Sequence, residues 1–255
     1  MQHGMVHPYE DRARFGRRPT AFVVRDPTPE DVRPVDWSPW RVTDEEDMGE
    51  GCEQGDIIRT ALSSLGQLAA ERGWTGFYLG ADTFFAWVPN EPLVRVSPDL
   101  YLIEDPPPPP LPKSWQVWLE GHRPPRWAAE IVSDDWKKDY EEAPLKYAQL
   151  GAHELLIFDP EVTLSGERRG PRVPFQVYRR APDGAFVRVH RGDGPAPSEV
   201  LDATFVARRE GGAVRLRVAR DPEGKDVVPT AEEAKRAAEE RIRALEAELA
   251  RARGR

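Results

Sequence analysis

The stretch Trp127-Ala128-Ala129-Glu130-Ile131-Val132-Ser133, followed by Lys146-Tyr147-Ala148-Gln149-Leu150-Gly151 and Leu155-Leu156-Ile157-Phe158-Asp159-Pro160, reads as strand, helix, strand. The run His153 to Phe158 is nearly continuously apolar, the mark of a strand covered on both faces. Between the strands, a helix over about Trp136 to Leu150 stops at Gly151. Pro144 lies in its middle and predicts a kink or a break into two pieces. Strands joined by one helix pair in parallel through a right-handed crossover. Upstream, Pro98-Asp99 heads the apolar run Leu100-Tyr101-Leu102-Ile103, with proline at a strand's first residue, where it is tolerated. The fold class is therefore α/β, with a mixed β-sheet flanked by helices.

Two carboxylates stand on these neighbouring strands. Asp99 heads one and Glu130 lies inside the other. Such a pair is a natural seat for a hard divalent cation, which prefers oxygen ligands. Asp99 also suits a plain turn at a strand start. Glu130 is harder to explain structurally, because a carboxylate inside an apolar strand is costly unless paired or metal-bound. Asp159 before Pro160 reads as a strand-end turn residue, His153 as structural, and Tyr147 as a packing residue between helix and sheet.

Further out, Ile57, Ile58, Ala61, Leu62, Leu65 and Leu68 recur at helical spacing and predict a helix from about Gln54 to Arg72, ended by Gly73. The acidic residues before it suit the helix dipole, or else Glu50 or Glu53 points into the carboxylate site. Phe77 to Val88 is rich in β-forming residues, with Gly80 as a bulge or turn. Pro106 to Pro110 is an extended polyproline-type surface segment, pinned to the body by Trp115 and Trp118. The pairs Val173–Arg180 with Gly184–His190, and Ala203–Arg208 with Ala213–Ala219, read as hairpins closing the sheet edge. Thr230-Ala231-Glu232-Glu233 is a capping box. Behind it, Ala231, Ala238, Ile242, Leu245 and Leu249 form a coiled-coil-like seam, serving either a homodimer or a solvated single helix.

Composition sets bounds. The 255 residues carry 26 prolines and 39% hydrophobic residues, which limits the compact core to about 150–180 residues. Residues 1–35 mix Arg, Asp and Pro without period and read as a disordered arm. One cysteine, Cys52, excludes an internal disulfide and a cysteine-based zinc site. No apolar run of transmembrane length and no apolar leader is present, so no membrane partner is expected and a cytoplasmic location follows. The net charge of −8 disfavours a general nucleic-acid coat, leaving room for a local basic face.

The set Pro98-Asp99, Glu130-Ile131-Val132-Ser133, Asp139, Tyr147 through Gly151 and Phe158-Asp159-Pro160 resembles the Uma family of restriction endonucleases, within the PD-(D/E)xK nuclease superfamily. Each motif alone is weak; their order and spacing over about Glu50 to Pro160 are specific. The resemblance implies a restriction-endonuclease-like core that uses Mg²⁺ or Mn²⁺ to hydrolyse phosphodiester bonds in DNA. Asp99, Glu130 and the backbone carbonyl of Ile131 would be the metal ligands. Taken with the composition of the ends, the chain is expected to divide into an arm (1–35), a nuclease-like domain (36–220) and a linker with the C-terminal helix (221–255).

The sequence departs from the family pattern at the lysine. The position two after Glu130 is Val132, and the later family position, four before Tyr147, is Ala143. Lys146 lies three residues beyond Ala143, on roughly the same face of a continuous helix, and is the expected catalytic lysine; Lys137 and Lys138 are the other candidates. If none serves, the chain is a catalytically weakened relative that binds nucleic acid or a partner protein. A third reading is an oligomeric scaffold whose carboxylates are only salt-bridged.

Overall fold

The structure, a computed structural model, describes residues 28–29, 52–91, 93–133, 136–165 and 170–253. The expectations placed on residues 1–27 and 30–35 of the arm, on Glu50 and on Asp134 lie outside the described residues.

The molecule is built around a six-stranded mixed sheet. Its strands are β1 (Phe77–Gly80), β4 (Leu100–Glu104), β6 (Trp127–Ile131), β7 (Glu154–Phe158), β8 (Phe175–Arg180) and β9 (Phe186–Gly192), in that spatial order. Only β6 and β7 run parallel, with Glu130 opposite Ile157; the other pairs are antiparallel. All five residues of β7 are buried, as its unbroken apolar run requires of a central strand.

The connection between β6 and β7 contains a π-helical turn, Lys138–Glu142, that continues into α2, Ala143–Leu150. Pro144 falls in the first turn of α2, where its missing N–H costs nothing, so the expected break is a change of helix type. Gly151 ends α2 at φ 95°, a left-handed conformation that glycine adopts without strain.

Alternation in the sheet splits the apolar side chains into two cores. Leu100, Leu102, Trp127, Ala129, Ile131, Leu156, Phe158, Phe175 and Val177 face α1, Cys52–Glu71, whose Ile57, Ala61, Leu65 and Leu68 are fully buried. The same core is closed by a separate three-stranded sheet of β10 (Ala196–Ser198), β11 (Ala203–Glu210) and β12 (Ala213–Ala219). The second expected hairpin therefore does not extend the main sheet. Val214, Leu216 and Val218 alternate inward, and Phe205 stacks on Trp127 with ring centroids 5.4 Å apart, so it packs face-on instead.

Tyr101, Ala128, Leu155 and Ile157 face the other way, against Ala143, Tyr147 and Leu150 of α2. A small sheet of β3 (Arg95–Val96), β2 (Phe84–Ala86) and β5 (Ser114–Gln116) completes that core. Trp115 is anchored there, 6.0 Å from Phe85 in a stacked pair. Gly80 is neither bulge nor turn: it pairs with Tyr101, and a Cβ there would lie 2.4 Å from the tyrosine ring.

Between α2 and β8 a short helix, α3 (Pro160–Ser165), follows β7. The C-terminal helix, α4 (Ala231–Arg253), touches α1 at its start and is otherwise exposed, including Ile242, Leu245 and Leu249. Its capping box forms as read: Thr230 Oγ1 accepts the Glu233 N–H at 3.2 Å, and Glu233 Oε2 accepts the Thr230 N–H at 2.7 Å. Among the described residues, no helix is long and apolar enough to cross a membrane.

Candidate active site

Asp99 and Glu130 lie near the ends of β4 and β6, Asp99 bonded to α1 through Gln54 and Glu130 to α2 through Tyr147. Asp99 is held at the start of β4 by two donors. The backbone N–H of Ile131, the residue after Glu130, donates to Asp99 Oδ2 at 2.6 Å, and Gln54 Nε2 on α1 donates to Oδ1 at 3.0 Å. Gln54 Nε2 also reaches the Ile131 carbonyl at 3.5 Å. The three sequence-predicted oxygen donors, from Asp99, Glu130 and Ile131, are thereby drawn to one place by the antiparallel pairing of β4 and β6.

Glu130 accepts a hydrogen bond from the Tyr147 hydroxyl at 2.7 Å. Tyr147 is fully buried, so its ring packs the helix to the sheet and its hydroxyl fixes one oxygen of Glu130. Burial, then the neighbouring charges of Asp99 and Asp139, push the Glu130 carboxyl well above the usual range; Tyr147 and Lys138 oppose this. The same burial, with Glu130 beside it, raises the Tyr147 hydroxyl, which therefore stays protonated as a donor. Asp139, on the π-helical turn, is 5% exposed and accepts the Ser133 N–H at 3.4 Å. Among the described residues, no cluster of three or more His, Cys, Asp or Glu has the arrangement of a metal cage.

The lysines are placed differently from the sequence reading. Lys146 Nζ pairs with Glu142 at 3.0 Å along the helix, and among the described residues no ion pair joins it to Asp99 or Glu130. Lys138, exposed on the π-helical turn, is the cation acting on Glu130. Val132 and Ala143 are buried and apolar. Glu53 is exposed.

Sequence reasoning missed two residues near the site. Gln54 stands at the start of a helix read only for its apolar stripe. Asp159, read as a turn, is fully buried and grips Arg172, with Nε at 2.8 Å from Oδ2 and Nη2 at 2.9 Å from Oδ1. The Tyr140 hydroxyl, 2.9 Å from Asp159 Oδ2 and 2.8 Å from the Val173 carbonyl, ties the π-helical turn to this pair. No periodicity marks these contacts, since they join residues distant in the chain.

Among curated proteins, none matches the chain. Among solved structures, the chain is similar to one described as a "putative nuclease belonging to DUF820 from Anabaena variabilis", at 13% identity over 60% of this chain and 75% of that one, with a TM-score of 0.39. Residues 46–165, the segment that holds Asp99, Glu130 and Tyr147, match the model of the Uma2 family, described as "Putative restriction endonuclease".

Proposed function

We propose that this protein is a metal-dependent endonuclease that hydrolyses phosphodiester bonds in DNA, with Asp99, Glu130 and the Ile131 carbonyl as the ligands of Mg²⁺ or Mn²⁺. The observation that carries the reading is a buried carboxyl set among like charges. Glu130 lies beside Asp99 and Asp139, and among the described residues no lysine or arginine forms an ion pair with it. A protein keeps such an arrangement at a cost, and a bound cation would remove it.

The donor set fits the ion. Mg²⁺ keeps several waters and binds through one or two carboxylates, so a full protein cage is not required. When bound, the metal would polarise the scissile phosphate and lower the pKa of a water. The chain's own residues supply the positioning. Ile131 N–H and Gln54 lock the Asp99 carboxylate, and Tyr147 locks Glu130 Oε1. Lys138 is assigned the role of offsetting phosphate charge, supported by its action on Glu130. Lys146 is the alternative, and would first have to leave Glu142.

A second reading, a nuclease-fold protein that binds nucleic acid without efficient cutting, is favoured by the apolar residues at Val132 and Ala143. Cleavage of supercoiled and linear DNA with Mg²⁺ or Mn²⁺ separates the two. Metal-dependent nicking by the wild type, lost in Glu130→Ala, is the expected result. Loss in Lys138→Ala with retention in Lys146→Ala would assign the lysine, and the reverse pattern would return the role to Lys146. Failure of the wild type to bind metal would remove the proposal.

A further inference from the structure

The row of paired residues that contains Glu130 continues across the sheet. Glu130 is opposite Ile157, Ile157 opposite Gln176, and Gln176 opposite Arg191. Directly paired residues point to the same face, so Gln176 and Arg191 share the face of Glu130. Gln176 is two strand spacings from Glu130, about 10 Å.

A regular β9 would send Arg188 and Arg191, three positions apart, to opposite faces. The register shifts between Val177 and Tyr178: Val177 pairs with His190 but Tyr178 pairs with Arg188. The extra residue, Val189, turns Arg188 to the same face as Arg191, as bulges re-aim side chains. Both arginines line a cavity of about 380 Å³ with Gln176, Trp136, Tyr140 and Glu141.

Gln176 shows how the cavity is set. It is 2% exposed, and its Oε1 faces Arg188 Nη1 at 3.1 Å. Arginine can only donate, and the Tyr178 hydroxyl donates to the same Oε1 at 3.2 Å, so the amide orientation is fixed with its oxygen toward Arg188. Gln176 thereby holds the Arg188 side chain at the cavity wall. Arg191 donates to the Pro171 carbonyl at 2.6 Å, and among the described residues neither Arg188 nor Arg191 pairs with a carboxylate. Two exposed guanidinium groups on one wall present positive charge and N–H groups to an anion. Trp136 lies at the helical wall with the Arg172 guanidinium 5.8 Å from its ring centroid.

We infer that this cavity is a second phosphate subsite, in which Arg188, oriented by the Gln176 side chain, and Arg191 hold a backbone phosphate of the bound strand a short distance along from the phosphate at Glu130. The inference rests on the nuclease reading of the Asp99–Glu130 site and gives it a strand direction: along the row from β6 to β9.

The test is fluorescence anisotropy of a labelled DNA duplex with the full chain across a salt series, divalent metal withheld. Metal binding to each protein is followed separately by calorimetry with Mn²⁺. The Arg188→Ala/Arg191→Ala variant is expected to bind DNA roughly tenfold more weakly at moderate salt, and to lower the slope of log K against log salt by about 1.5, some 0.7–0.9 for each lost contact. Mn²⁺ binding should be unchanged. The Arg188→Lys/Arg191→Lys variant should keep the slope, which excludes misfolding as the cause. Gln176→Leu should weaken binding severalfold at an unchanged slope. An unchanged slope in the double alanine variant, with wild-type binding intact, overturns the subsite and leaves the nuclease reading standing. No DNA binding by the wild type even at low salt overturns both.

Discussion

Three carboxylates on two adjacent strands have been treated in opposite ways. Glu154 and Asp159 bracket β7, both fully buried, and each is answered by an arginine. Arg179 donates to Glu154 Oε2 at 2.9 Å, while Ser198 Oγ and the Glu199 N–H satisfy the same carboxylate. Arg172 and Tyr140 do the same for Asp159, whose hydrogen bonds and charge also hold the Arg172 guanidinium above its ordinary range. On β6, one strand away, Glu130 meets a tyrosine hydroxyl and two further carboxylates. Glu154 and Asp159 act as joints, binding β7 to β8, β10 and the π-helical turn. Glu130, among the described residues, has no ion pair of that kind; its neighbours are a tyrosine hydroxyl, like charges and the more distant Lys138. The difference is what singles out Glu130 as the candidate site's carboxyl rather than a joint.

The sharpest way to break this contrast is to neutralise Glu130. Glu130→Gln should abolish metal-dependent cleavage, beyond the roughly 100-fold loss typical of residues that only support a ligand. The same variant should melt at an equal or higher temperature without metal, since one member of a repelling group is gone. A lower melting temperature in metal-free buffer would make Glu130 a joint like the others. In contrast, Asp159→Ala leaves Arg172, which is 7% exposed, without its main partner. Arg172 keeps its ion pair with Glu161 at 2.8 Å, so the cost by urea unfolding should be about 3 kcal/mol, the lower end for breaking a buried pair. A cost below about 1 kcal/mol would show that the arginine escapes to solvent and that the pair is not a joint.

Tyr147 lies between the two classes. Tyr147→Phe keeps the ring against Leu150 and the sheet but removes the hydroxyl that donates to Glu130 Oε1. The expected cost is about 10–100-fold in cleavage, as for other groups that orient a ligand, with about 1 kcal/mol or less in stability. Equal losses in stability and activity would identify the hydroxyl as structural.

The site carboxylates were readable because each violates a local pattern. Glu130 interrupts an apolar strand, and Asp99 follows a proline at a strand start. The order β4, β6, α2, β7 was readable for the same reason, since periodicity and the stops at Pro98 and Gly151 are local, whereas the short β5 between β4 and β6 was not. What lay beyond reach was partnership. Gln54 reaches Asp99 across 45 residues and Tyr140 reaches Val173 across 33, and nothing in either neighbourhood announces the other. Ala143 and Lys146 do share the regular helix α2, but sequence could not say that Lys146 would pair with Glu142 one turn back. The second hairpin was recognised as a hairpin, but its inward alternation alone could not say which sheet face it would cover.

The smallest effect belongs to the start of α4, where one side chain serves two purposes. Glu233 completes the capping box with Thr230 and also meets Arg217, whose Nη2 is 2.6 Å from Oε2. The Arg217 hydrogen bond is the main reason its carboxyl lies below the ordinary value. A depressed carboxyl stabilises the fold at any pH above its unfolded value, about 4.3. That contribution fades as the pH falls through the lower folded value. Glu233→Gln keeps the capping geometry and removes the charge, so its deficit against wild type, below about 1 kcal/mol for a side chain this exposed, should be present at neutral pH and vanish on acidification. Glu233→Ala removes cap and charge together and should retain a deficit at low pH. Melting curves of the three proteins across the acid range decide it: a Gln deficit that persists below the carboxylate range would assign the stabilisation to the cap geometry, leaving Arg217 as a bystander.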